Sequence, residues 1–310
     1  MKKLLAIILL CCFSTITFHG QEKSLFSQEE VIYSRKHGMA LTMIVLKPEK
    51  ANKKGIIQVV SGSWYSGYSQ LENEISNAEP FLENGYTVFV TIHSSNPRFD
   101  ISEAALDIKH AVQYVRFNSE KFNIDPNNIG ITGSSAGGHL SLVANTSSDI
   151  KNLNSKNPLK RVSSKVQAVA VFYPPTDFLN WGQPNAYMNY LEHSPILAQS
   201  YVLGAMTYHE FDSINIVYKP IVNPKLLKEV ITKVSPAQLV SIDDAPTYII
   251  HGDKDQVVPL QQSQHLQKKF DSIGVPLILK IKPGADHGWQ NMNEDRQEFV
   301  NWFDKYLIEE

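Results

Sequence analysis

The sequence predicts an α/β domain built on a mostly parallel, doubly wound sheet with helices on both faces. Three observations carry that expectation. Short apolar runs alternate with amphipathic segments along most of the 310 residues. Several of the runs are continuously apolar, which marks strands covered on both faces. The segments between them place apolar residues three and four apart, the spacing of helices that cross over between parallel strands. Composition agrees, with 43% hydrophobic and 19% charged residues and a net charge of −2. No basic stripe or lysine run points to a nucleic-acid partner.

The elements follow in order. Lys2 and Lys3 precede the apolar run "LLAIILLCCF" (4–13), and the polar stretch "STITFHGQE" closes it. A basic start, a short apolar core and a polar exit predict a signal peptide over 1–20 and hence export. The run is short of the about 20 apolar residues that span a bilayer, so no stable span is expected in the mature chain. Cys11 and Cys12 both lie in this leader. The mature chain is therefore expected to hold no disulfide and no cysteine nucleophile. Lipid anchoring through Cys11 or Cys12 is the alternative, and Leu10 argues against it.

A domain is expected from about residue 30 to 310. "MALTMIVLKP" (39–48), "GIIQVVSG" (55–62) and "YTVFVTIH" (86–93) read as strands. Ile101, Ala105, Ile108, Val112 and Val115 share one helical face. "IGITG" (129–133), "VQAVAVFY" (166–173), "TYIIHG" (247–252) and "PLILKIK" (276–282) complete the strand series. A helix carrying Leu266, Phe270 and Ile273 separates the last two, and Phe299, Phe303 and Leu307 mark a C-terminal helix. Residues 178–235 break the rhythm with Tyr, Asn and Pro and no strand series, so they read as a partly helical insertion and a lid candidate.

"ITGSSAGGHL" (131–140) holds a G-x-S-x-G pattern in one register only: Gly133-Ser134-Ser135-Ala136-Gly137. Centring on Ser134 would put Thr132 and Ala136 where glycines are needed. A strand precedes and a helix follows. That is the context of a nucleophile elbow, in which the serine sits on a strained turn with its hydroxyl exposed. No G-K-[ST] follows, so a phosphate cradle does not fit. The helix N-terminus beneath Ser135 favours developing negative charge.

Such a serine needs a base and an acid, later in the chain and each beyond a strand. His287 in "KPGADHGW" follows the last strand in a Gly-rich turn and is the candidate base. His139, four residues past Ser135 on the same helix, reads as structural. "IIHGDKDQVVP" offers Asp253 and Asp255, and "YPPTDF" offers Asp177. Asp255 is the preferred acid; Asp253 suits the amides of the strand exit, and Asp177 remains a geometric alternative.

"GSSAGGHLSL", "AVFYPPTDF", "DDAPTYIIHGDKDQVVPLQQS" and "GVPLILKIKPGADHG" resemble the α/β-hydrolases of the feruloyl and acetyl-xylan esterase (BD-FAE-like) group. The resemblance spans about residues 38–308 apart from the insertion. It implies an α/β-hydrolase fold, a triad of Ser135, Asp255 and His287, and cleavage of esters, often acyl groups on plant polysaccharides, with no cofactor and no metal. It also implies an oxyanion hole from the N–H groups of Gly62, Ser63 and Ala136. There the chain departs from the group's H-G-G-G-W-type loop: in "VVSGSWYSG" Val60 replaces the histidine, and Ser61 and Ser63 replace two glycines. The question is whether Ser63 takes the required backbone angle. Asp286 is a second departure, standing where a small residue is usual. Tyr65, Tyr68, Trp181 and Tyr187 are aromatic candidates for stacking on a sugar or ferulate ring. A prolyl-oligopeptidase-like peptidase and a catalytically weak binding protein are the competing readings.

Overall fold

The computed structural model of the chain describes residues 26–188 and 202–308. The expected leader and both cysteines lie outside them. Eight strands form one sheet: β1 (Phe26–Lys36), β2 (Met39–Pro48), β3 (Gly55–Val60), β4 (Thr87–Ile92), β5 (Ile129–Ser134), β6 (Ala168–Phe172), β9 (Thr247–Gly252) and β10 (Leu277–Lys282). Their spatial order is β1-β2-β4-β3-β5-β6-β9-β10. β1 and β2 pair antiparallel, as do β2 and β4; from β4 to β10 every pairing is parallel.

The central strands are buried on both faces because their side chains alternate between two cores. Ile57, Val59, Ile131, Val169 and Ile249 face one core. That core is closed by α3 (Ile101–Phe117), α5 (Ala136–Thr146) and α7 (Gln261–Ile273). Ile56, Val60, Val88, Val90, Ala170 and Phe172 face the other, beneath α2 (Glu79–Glu83) and α8 (Met292–Tyr306). All five residues of the expected α3 stripe are buried. Asp100 caps that helix, accepting from Glu103 N–H at 3.1 Å. Short helices α1 (Leu71–Asn77) and α4 (Ser119–Phe122) complete the first half.

Two elements differ from expectation. β1 has no apolar pattern: "FSQEEVIYSRK" buries only Val31 and Tyr33, and a register shift falls between Ile32 and Ser34. It is a polar edge strand, so hydropathy does not announce it. The insertion also contains strands. β7 (His209–Asp212) and β8 (Val217–Pro220) form an antiparallel hairpin, followed by α6 (Pro224–Lys233). Their side chains are largely exposed, which removes the periodic burial a sequence reading relies on. Residues 189–201 of the lid candidate lie outside the described residues. No helix among those described is long and apolar enough to cross a membrane.

Candidate active site

Because β5, β6, β9 and β10 run parallel, their C-terminal ends open on one edge of the sheet, where loops gather side chains from distant sequence. At the end of β5 the chain turns into α5 through Ser135, whose backbone sits at φ 52° and ψ −119°. A non-glycine residue there costs on the order of 1–3 kcal/mol and needs surroundings that enforce it. Ser135 N–H donates to Phe172 O at 3.0 Å, and His139 N–H donates to Ser135 O at 2.9 Å. The flanking glycines make the turn possible. A Cβ on Gly133 would stand 2.5 Å from the Gly137 carbonyl carbon, and one on Gly137 would stand 2.6 Å from Val59 O.

The structure brings Ser135, His287 and Asp255 into one line. Ser135 Oγ–H donates to His287 Nε2 at 2.9 Å, and His287 Nδ1–H donates to Asp255 Oδ2 at 2.8 Å. Asp255 Oδ1 accepts from Val257 N–H and Val258 N–H, both at 2.8 Å. Burial of Asp255 disfavours its charge, but hydrogen bonds from His251 and His287 outweigh it and hold the carboxyl below the usual carboxylate range. His251, at the end of β9, went unnoticed in the sequence. It is fully buried, lies 3.2 Å from Asp255 Oδ2 through Nε2, and accepts from Ser263 Oγ–H at 2.7 Å through Nδ1. A histidine inside a strand, four residues ahead of an acid, was the available signal. The Tyr173 ring packs on His287 with centroids 4.5 Å apart.

The other aspartates have other partners. Asp177 is buried among Gln238 Nε2 at 2.6 Å, Asn180 Nδ2 at 2.8 Å and His265 Nδ1 at 3.3 Å. Asp253 accepts from Gly284 N–H at 2.7 Å, tying the β9 exit to the β10 exit. Asp286 accepts from Gln256 N–H at 2.9 Å and His287 N–H at 2.7 Å. Its carboxylate staples the acid loop to the histidine loop.

The turn facing Ser135 is residues 61–67. Gly62 differs from expectation: its N–H donates to Tyr65 O at 2.9 Å, in a bridge that Tyr65 N–H returns at 2.8 Å. That amide is spent inside the turn and is not free for an oxyanion. Ser63 does take a left-handed backbone, φ 50°, and Trp64 follows at φ 59°. The Ser63 N–H has no hydrogen-bond partner among the described residues. Ala136 is the first residue of α5, so its N–H has no intrahelical acceptor.

Left-handed Ser63 and Trp64 cost roughly 1–2 kcal/mol each. Three neighbours hold them. Asn96 Nδ2 donates to Ser63 O at 3.1 Å. Ser61 Oγ–H donates to His93 Nε2 at 2.9 Å, while His93 Nδ1–H donates to Ser94 O at 2.8 Å. Trp64 Nε1–H donates to His139 Nδ1 at 3.0 Å, and His139 Nε2–H donates to Val234 O at 2.7 Å. Burial pushes both His93 and His139 down to about 4, so each stays neutral and keeps one acceptor nitrogen. Phe178, the first residue of the insertion, closes the cluster, 5.7 Å from Trp64 and 5.0 Å from His139 between centroids. Of the aromatic candidates, Tyr68 and Tyr187 are exposed, and Trp181 stacks on Phe178. Among the described residues no cluster of His, Cys, Asp and Glu is arranged to hold a metal ion.

A mostly parallel eight-stranded sheet with a serine on the turn between β5 and α5 defines an α/β-hydrolase. Residues 43–270 match the BD-FAE family, and the chain belongs to it. It is similar to Esterase LipQ of Mycobacterium tuberculosis, 27% identical over 76% of this chain and 50% of that protein. It is similar to the acetylxylan esterase of Xylanibacter ruminicola, 33% identical over 34% of this chain and 22% of that protein. The chain thus spans about half the length, or less, of these curated relatives. Among solved structures, a truncated carbohydrate esterase from gut microbiota superposes with TM-score 0.72 at 25% identity, covering 92% of this chain and 98% of that one.

Proposed function

We propose that this chain is a serine hydrolase of carboxylic esters that works through an acyl-enzyme. The observation that carries the reading is the unbroken Ser135–His287–Asp255 hydrogen-bond line at 2.9 and 2.8 Å. Ser135 Oγ attacks the ester carbonyl while His287 Nε2 takes its proton. Asp255 stays ionised and stabilises the imidazolium. The N–H groups of Ser63 and Ala136 receive the negative oxygen of the tetrahedral intermediate. His287 then gives the proton to the leaving alkoxide, and the alcohol departs. In the second half a water gives its proton to His287 and attacks the acyl-serine. Collapse returns that proton to Ser135 and releases the carboxylic acid.

Acyl groups on carbohydrate are the substrate class, supported by the acetylxylan esterase and carbohydrate esterase relatives. The basic, apolar, polar order of residues 2–20 supports export. Purified protein is expected to hydrolyse p-nitrophenyl acetate and acetylated xylan. A fluorophosphonate probe is expected to label Ser135. Turnover of neither ester, or labelling that persists in Ser135→Ala, sinks the reading.

A further inference from the structure

A polar recess of about 580 Å³ opens beside the candidate nucleophile, walled by α1, the Ser134 end of β5, Tyr173 and the start of α8. Its size lies within the about 300–1,000 Å³ of small-molecule sites. It meets the candidate triad through neighbours of Ser135 and His287. Ser134 is the neighbour of Ser135, and the Tyr173 ring stands 4.5 Å from the His287 ring. Nothing in the hydrolytic steps uses the groups that line it.

Three of those groups are charged, Glu74 and Glu294 against Arg296. Arg296 is only 8% exposed, its guanidinium 5.3 Å above the Phe172 ring. Within the protein it donates from Nη1 to Asn293 Oδ1 at 2.6 Å and forms no ion pair among the described residues. A guanidinium carries five N–H donors, so most remain for a ligand. Glu74 on α1 lines the same recess, accepts from Gln58 Nε2 at 2.7 Å and from Asn77, and feels the Arg296 charge; its two oxygens have lone pairs beyond these bonds. Asn77, one turn on, hydrogen-bonds to Glu74 and brings its remaining amide groups to the recess. Met292 and the Tyr173 ring form an apolar wall.

The charge pattern selects the ligand class. An anionic ligand would meet Glu74 and Glu294, and a cationic one would meet Arg296. A neutral polyol uses both, because each hydroxyl donates and accepts. Its C–H faces suit the Met292 and Tyr173 wall. Acetyl and feruloyl groups carry no such set of hydroxyls, whereas the alcohol half of a sugar ester does.

We infer that this recess is the subsite for the alcohol half of the ester, a neutral pyranose whose hydroxyls are held by Glu74, Arg296 and Asn77. The inference rests on the ester-hydrolase reading and specifies where the sugar lies.

The test compares acetylated xylotriose with p-nitrophenyl acetate, which has no sugar. In Glu74→Gln and Arg296→Gln, the ratio of kcat/KM for the sugar ester to that for the aryl ester is expected to fall at least tenfold, mainly through the KM of the sugar ester. Should either variant fail to fold, Asn77→Ala is expected to lower the same ratio at least threefold. A ratio within twofold of wild type in every folded variant overturns the subsite and leaves the ester reading standing. Wild-type protein that turns over p-nitrophenyl acetate but not acetylated xylotriose does the same. Wild-type protein inactive on both overturns the ester reading itself.

Discussion

The two sides of the candidate site are built differently. On the acid–histidine side, the groups that would react also hold the structure: Asp255 binds His287, His251 and two backbone amides. On the oxyanion side, the groups that would react are bare amides, and side chains elsewhere hold them. Ser63 and Trp64 keep a left-handed backbone because Asn96, His93 and His139 fasten the turn. Function and support coincide on the first side and are separated on the second. Substitutions should therefore act in one place through chemistry and in the other through geometry.

The largest expected effect lies on the first side. Asp255→Asn keeps the shape of the acid but lets His287 adopt the wrong tautomer, and kcat is expected to fall about 10⁴-fold. Steady-state kinetics on p-nitrophenyl acetate reads it; a loss under tenfold would place the acid elsewhere.

The next test separates the sides by pH. His93 and His139 have folded values near 4, below the ordinary imidazole value of 6.5. Between these values the unfolded chain binds protons that the folded chain does not. Each histidine's contribution is thus complete above pH 6.5 and is lost as pH falls toward 4, by about 3 kcal/mol at most. Asp255, held below the carboxylate range, loses its contribution only at lower pH. Urea unfolding from pH 7 to 4 is expected to show falling stability, and the slope should flatten in His139→Gln. An unchanged slope in that variant would remove His139 from the account.

The smallest effect sharpens the second side. Trp64→Phe keeps the ring but strands His139 Nδ1 without its donor, at about 1–3 kcal/mol of stability. kcat is expected to drop about tenfold, well short of the about 10²–10³ for losing an oxyanion donor outright. A loss of stability with kcat unmoved would show that Trp64 supports the fold and not the Ser63 amide.

This contrast also explains what the sequence made legible. The elbow, Asp255 and His287 each sit just beyond an apolar run, so local pattern points to them. The same holds for the six parallel strands and for the α3 stripe. The supports of the 61–67 turn leave no local trace, because Ser61 meets His93 and Trp64 meets His139 only through the fold. Gly62 illustrates the limit: its glycine is visible in the sequence, but the bond that occupies its N–H depends on how residues 62–65 close on themselves. β1 and the β7–β8 hairpin escaped for a related reason. Strands that bury little carry little hydropathy signal.

His139 touches both ends of the insertion: Phe178 at its start through the ring, and Val234 near its close through the carbonyl. Other ties hold the stretch as well, Gly182 N–H to Gln261 Oε1 at 3.0 Å among them, but His139 is the side chain that meets both of its ends. Exchange of that stretch with a relative's has natural seams there. A graft that keeps Phe178 and the Val234 carbonyl exchanges the stretch between them and leaves the His139 clasp in place.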